Sequence, residues 1–184
     1  TIPIIAITGT NGKTTTTRLI DHIFKLAGNT VGMCTTEGVY IKNRMIYQGD
    51  MTGPMSHKMV LTDPTIDLAV LECARGGILR AGLGFKTCDV GVVTNVSEDH
   101  LGLRGIHTVD QLARVKSIIP EIVKQGGVTV LNADDDLVSA MSEKTKGKII
   151  YFSLDWKNNS TVSNHLKDGE TAVVFDHGWL CMMK

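Results

Sequence analysis

The chain has 184 residues, 42% of them hydrophobic and 21% charged, with 19 basic side chains balanced by 19 acidic ones. A soluble globular chain of this size buries enough surface to fold without a disulfide or metal staple. The charge balance excludes an electrostatic footprint for nucleic acid or an anionic membrane, and no apolar run reaches the ~18–20 residues of a membrane span. Four cysteines, Cys34, Cys73, Cys88 and Cys181, lie far apart without a C-x-x-C pair and read as buried reduced thiols. With no basic-then-apolar leader at the N-terminus, the compartment reads as cytosolic.

Taken in order, an apolar strand over residues 3–8 runs into Gly9-Thr10-Asn11-Gly12-Lys13-Thr14-Thr15, and a helix follows over residues 14–26. A strand is expected at 31–35, a hairpin at 39–47 with Lys42-Asn43-Arg44 at its tip, and further strands at 67–72 and 89–95. A helix over 108–124 begins at Thr108 or Asp110 as N-cap and stops at Gly126-Gly127. Strand 128–132, helix 135–144 and strand 148–153 come next. A polar stretch, 155–164, precedes two short strands around Asp176-His177-Gly178, an edge hairpin within residues 165–184. Several strands are apolar at consecutive positions, as strands covered on both faces are. The expected fold is α/β: a P-loop-type, mostly parallel sheet flanked by helices, with a C-terminal β-hairpin appendage. Residues 1–184 read as one domain, a piece of a longer polypeptide.

Chemistry collects where loops follow strands, and in open parallel sheets those loops share one crevice. In the first loop, glycines let backbone N–H groups converge on phosphate oxygens, helped by the positive end of the following helix. Lys13 reaches the β- and γ-phosphates, and the Thr14 hydroxyl faces a magnesium ion. The general G-x-x-x-x-G-K-[ST] pattern places a glycine where this chain has Ile7, with Gly9 instead, so a shorter loop is implied. In the second loop, Glu72 leaves an apolar strand into Cys73-Ala74-Arg75-Gly76-Gly77 and is suited to hold Mg²⁺; a salt bridge to Arg75 or Arg80 is the structural alternative. In the third, Asn95, Asp99 and His100 form a polar cluster, with His100 available to metal or phosphate and Asp99 equally a turn cap. Lys116, on the long helix, reads from its residue type alone as solvated. Asn132-Ala133-Asp134-Asp135-Asp136 is explained by helix capping. His22, His57, His107, His165 and His177 sit singly and receive no role.

Together these motifs resemble the central ATPase domain of the Mur ligase family over about residues 3–155, where a short Gly-Thr-x-Gly-Lys-Thr loop is the usual form. The resemblance implies ATP-dependent amide-bond formation through an acyl phosphate. It implies that Gly9 to Thr15 and Asn95 meet the nucleotide, that Thr14, Glu72 and His100 hold Mg²⁺, and that Lys13, Glu72, His100 and Lys116 serve catalysis. Lys116 falls where the family has a lysine that is often carbamylated. Four ordered runs are similar to the cyanophycin-synthesising branch of the family: Leu71 to Arg80, Gly49 to Pro54, Cys88 to Asn95 and Ser97 to Gly102. Cys73 departs from the small hydroxyl residue expected there.

That branch joins arginine to aspartate side chains of a poly-aspartate peptide. Its implied partners are therefore a peptide acceptor and an amino acid, arginine, with no nucleic acid or membrane and with a homo-oligomer as the full-length protein. Glu37, Asp50 and Glu98 are unranked candidates to pair with a guanidinium, surface salt bridges being the equal alternative. Because the family completes its site with a further C-terminal domain, this chain alone is expected to bind nucleotide weakly and not to ligate. The alternatives are a muropeptide or folylpolyglutamate-type ligase and a catalytically silent nucleotide-holding scaffold.

Overall fold

A computed structural model of the chain describes residues 2–98, 102 and 105–184. The elements are β1 (Ile4–Thr8), α1 (Lys13–Leu26), β2 (Val31–Cys34), β3 (Gly38–Ile41), β4 (Arg44–Gln48), α2 (Pro54–Leu61), β5 (Leu68–Glu72), α3 (Arg75–Ala81) and β6 (Cys88–Val93), followed by α4 (Val109–Lys116), α5 (Ile118–Glu121) and β7 (Val123–Asn132). The chain ends with α6 (Asp136–Ser139), β8 (Lys148–Ser153), α7 (Ser160–Lys167), β9 (Ala172–Asp176) and β10 (Trp179–Met183).

The strands form one sheet in the order β10-β9-β8-β7-β6-β1-β5-β2-β3-β4. Its centre is parallel, and the antiparallel pairs lie at the two ends: β2–β3 and β3–β4 on one side, β9–β10 on the other. The consecutive apolar residues of β1 and β5 are divided between two faces. Ile5, Ile7, Leu68 and Val70 pack beneath α1 with Ile20 and Phe24. Ala6, Ala69 and Leu71 join a second core with Val60, Ile119 and Val123 on the opposite face. A third cluster packs Leu112, Val138 and Val162 against Leu131 and Tyr151. Helices on both sides therefore account for the near-continuous hydrophobicity of the central strands.

Both expected hairpins form. At the tip of β3–β4, Lys42 and Asn43 have φ of 49° and 66°; at the tip of β9–β10, His177 and Gly178 have φ of 48° and 86°. Positive φ at both central residues is the two-residue turn that matches strand twist. Three short helices, α2, α3 and α7, arise where no helix was expected.

The long helix expected over 108–124 is instead two. Of the two expected N-caps, Thr108 takes the position and forms a capping box with Gln111, but α4 stops at Lys116, whose carbonyl meets no N–H from Pro120 four residues on, and α5 ends at Glu121. The pair Gly126-Gly127 does not stop a helix. It lies in β7, where the register with β6 shifts between Cys88 and Val90, and a Cβ on Gly127 would come within 2.6 Å of the Asp89 carbonyl oxygen. Glycine fits that irregularity because the backbones approach closely there.

Candidate functional site

The sheet order places β1 between β5 and β6, with Ile7 opposite both Glu72 and Val92. The loop after β1 therefore opens between the carboxyl ends of β5 and β6, where parallel sheets bind ligands.

That loop is tied down from the β6 side. The Thr10 N–H donates to the Asn95 carbonyl at 2.9 Å, and the Asn11 N–H donates to Asn95 Oδ1 at 2.8 Å. Asn95 Nδ2 and Thr94 Oγ1 both donate to the Asn11 carbonyl, at 3.1 and 2.7 Å. Gly9 is obligatory: at φ 150°, an added Cβ would stand 1.9 Å from Thr94 Oγ1. Gly12, at φ 82°, is the N-cap of α1 and supplies no side-chain hydrogen bond. The first-turn N–H groups of Lys13, Thr14 and Thr15 thus have neither an intrahelical partner nor a capping side chain, which is the arrangement of an anion site. Asn95 braces the loop through Asn11 and in doing so occupies the Asn11 N–H. Lys13 Nζ donates to the Thr10 carbonyl at 2.8 Å.

Facing the helix start is Glu72, fully buried at the end of β5. Its carboxylate accepts the Thr14 hydroxyl at 2.9 Å and the Thr36 N–H at 3.3 Å. Burial pushes the Glu72 carboxyl up; the Thr14 hydroxyl, the Lys13 cation and the Thr36 N–H oppose that rise, and the Asp50 charge adds to it. A hydroxyl and a carboxylate side by side are hard oxygen donors, and a buried anion pushed towards protonation favours a cation. The pair fits Mg²⁺, which takes one or two carboxylates and completes its shell with phosphate and water. Asp99 and His100 lie outside the described residues. Among the described residues, no group of three His, Cys, Asp or Glu side chains gathers as a metal cluster.

Lys116 is not solvated, contrary to the reading from residue type. It is 2% exposed at the end of α4, and its Nζ donates to the Gly9 carbonyl at 2.7 Å. A cation buried beneath the phosphate loop thus joins Lys13, Thr36 and Gly9 along one cavity of 260 Å³.

Two further contributions were not legible in the sequence. His57, fully buried, accepts the Gly84 N–H at Nδ1 (3.2 Å), so its Nε2–H points to the Glu72 carbonyl at 3.3 Å. This neutral imidazole supports the strand end that carries the carboxylate, and burial lowers its pKa to about 4. Asp135 caps α6 as expected, through the Val138 N–H, but its other oxygen accepts the Val96 N–H at 2.6 Å. With Asn132 donating to the Thr94 carbonyl, it steadies the loop after β6 from behind. The Asn132 to Asp136 run therefore does more than cap.

The model of the Mur ligase middle domain matches residues 7–180. The chain belongs to the Mur ligase family. It is 54% identical, over all of its length, to a cyanophycin synthetase from Geminocystis herdmanii (strain PCC 6308), of which it covers 21%. The chain thus spans about a fifth of the length of the cyanophycin synthetases it matches. Among solved structures, a UDP-N-acetylmuramoyl-L-alanyl-D-glutamate–2,6-diaminopimelate ligase superposes on the whole chain with a TM-score of 0.74 at 22% identity, the match covering 39% of that protein. A bifunctional folylpolyglutamate synthase/dihydrofolate synthase, solved with Mn, AMPPNP and L-glutamate, matches 82% of this chain and 43% of its own at a TM-score of 0.58 and 19% identity. At those identities the two structures bear on the fold alone, and the fold is that of the Mur ligases.

Proposed function

We propose that this chain is the ATP-binding core of a ligase that joins arginine to aspartate side chains of a poly-aspartate peptide. The observation that carries the reading is the Thr14 hydroxyl on the Glu72 carboxylate at the mouth of the phosphate loop, in a chain 54% identical to a cyanophycin synthetase.

A carboxylate is a poor electrophile, so an acceptor oxygen first attacks the γ-phosphorus, ADP departs, and an acyl phosphate forms. The amine of the amino acid then attacks the carbonyl carbon, loses a proton and expels phosphate. Negative charge spreads over the transferring oxygens, and positioned cations and N–H groups lower its energy. In this chain the Lys13 ammonium and the first-turn N–H groups of α1 are the groups for that task. Thr14 and Glu72 would hold Mg²⁺, which supplies charge neutralisation at the phosphates. His100 belongs to the same proposal as a further metal ligand, and Lys116 as a residue supporting the reaction from beneath Gly9.

Phosphate release by the full-length ligase, measured against a panel of amino acids and acidic peptide acceptors, tests this. Turnover is expected only when arginine and an aspartate-rich acceptor are both present. Release that is indifferent to either one would overturn the reading.

A further inference from the structure

The cavity beside the phosphate loop continues into a second one, of 320 Å³, between α3 and the start of α2. The two share Asp50, Thr52, Gly77 and Arg80 as walls. Gly77 makes the junction possible: a Cβ there would stand 2.5 Å from the Thr52 carbonyl oxygen and 2.9 Å from Gly53 Cα, so α3 lies directly on the loop that leads into α2. The rest of the outer compartment is mostly small or apolar, including Met51, Pro54 and Met55.

Among the described residues, its charged lining consists of one acid and one base, Asp50 and Arg80. Both are exposed, and among the described residues no ion pair joins them. Asp50 accepts the Thr52 hydroxyl at 2.7 Å through Oδ1. Arg80 donates Nε to the Gly76 carbonyl at 3.0 Å, within its own helix. One oxygen of Asp50 is thus pinned while the other is directed by that pinning, and the Arg80 guanidinium is anchored at a single nitrogen. Opposite charges that share a cleft without neutralising each other complement a ligand carrying both signs.

Among the described residues, the two other candidate acids do not compete. Glu37 is paired with Arg18, which also lies over the Tyr40 ring, and Glu98 lines neither cavity.

We propose that this groove is a substrate subsite in which Asp50 receives a guanidinium side chain and Arg80 faces a substrate carboxylate. The assignment rests on the ligase reading above and adds its selectivity. The guanidinium comes either from the incoming amino acid or from arginines already attached to the acceptor, and the chemistry at Asp50 is the same. A bidentate guanidinium–carboxylate pair in a partly enclosed cleft separates arginine from neutral or shorter side chains far better than apolar contact does.

The test uses the full-length ligase and Asp50→Asn, with Asp50→Glu as the conservative control. Phosphate release is measured while varying free arginine, then a plain poly-aspartate acceptor, then the same peptide with arginine on all but its terminal aspartate. For Asp50→Asn, the KM of the guanidinium-bearing substrate is expected to rise roughly tenfold or more, the size of a lost charged hydrogen bond. Asp50→Glu should recover part of it, and any change in kcat or in the KM for ATP should be smaller than that rise. A rise confined to free arginine places the incoming amino acid at Asp50; a rise confined to the arginine-bearing acceptor places the acceptor there. Unchanged KM values, an equal rise for both acceptors with none for arginine, or a fall in kcat alone would overturn the assignment. Loss of arginine-dependent turnover in the parent enzyme is a different result, and it would sink the ligase reading itself.

Discussion

The phosphate loop and the Asp50 groove share a wall, yet they are held in opposite ways. The loop's backbone is tied chiefly to distant sequence: Asn11 is held by Asn95, 84 residues away, and Gly9 by Lys116, 107 residues away, beside the local bond from Lys13 to the Thr10 carbonyl. In the groove, Asp50 is held by Thr52 and Arg80 by Gly76, two and four residues away. Long-range ties fix the loop against the whole sheet, which is what stabilising charge on a transferring phosphoryl group requires, because reorganisation during the reaction would cost rate. Local ties leave the groove's charges free to be exchanged without disturbing the core. On the proposed function, activation and selectivity would fall on differently anchored parts of one crevice.

The sharpest way to break the contrast is Lys13→Ala. Removing one preorganised electrostatic donor typically costs about 10²–10³ in rate, so the arginine-dependent ATP turnover of the full-length ligase should fall by that factor while KM for the acceptor changes little. A Lys13→Ala enzyme retaining more than half its turnover would remove Lys13 from the reaction.

Much of the loop side was legible beforehand, and the reason is physical. Central parallel strands are apolar on both faces, so polar residues at their carboxyl ends, such as Glu72 and Asn95, stand out, while Lys13 and Thr14 carry the glycine-rich loop motif; the structure brings these four residues to one end of the sheet. Burial that depends on tertiary packing was not legible. Lys116 lies at helical spacing from Leu112 and Ala113, the buried side of α4, but a lysine's residue type points to solvent, and the crossing of α4 beneath Gly9 is what shows the amine enclosed. The helices α2 and α3 are eight and seven residues long, and α3 contains Gly76-Gly77, so neither gives a clear helical period. His57 carries no motif; its importance lies in Gly84 and Glu72 meeting at its two nitrogens.

That imidazole gives the comparison a pH dependence. His57 has a folded pKa of about 4 against an ordinary 6.5, so between those values the unfolded chain binds the proton and the folded one does not. Stability from this group is intact above pH 6.5, declines as pH falls from 6.5 to 4 and changes no further below, a total of about 3 kcal/mol. Glu72 acts in the other sense, since its raised carboxyl adds stability when protonated. Chemical denaturation of this chain reads the net slope, and the imidazole proton shift in NMR isolates His57. Titration of His57 near 6.5 in the folded chain would show that the support behind Glu72 is open to water.

The smallest effects come from two glycines, and these divide the crevice most directly. Gly9→Ala drives a Cβ into Thr94, at a position where φ of 150° also strains any side chain, whereas Gly77→Ala drives one into the Thr52 carbonyl. Overpacking of this kind costs about 1–3 kcal/mol, so both variants should unfold more easily, Gly9→Ala by more because its backbone is strained as well. Their functional signatures should differ. Gly9→Ala moves the loop relative to β6 and should weaken nucleotide binding, read by calorimetry with a nonhydrolysable ATP analogue, while leaving the groove walls in place. Gly77→Ala pushes α3 away from the loop before α2, parting Arg80 from Asp50, and should raise the KM of the guanidinium-bearing substrate with nucleotide affinity kept. Because the shared wall contains Gly77 but not Gly9, a Gly77→Ala enzyme that lost nucleotide affinity as strongly as Gly9→Ala would show the two halves to be one mechanical unit.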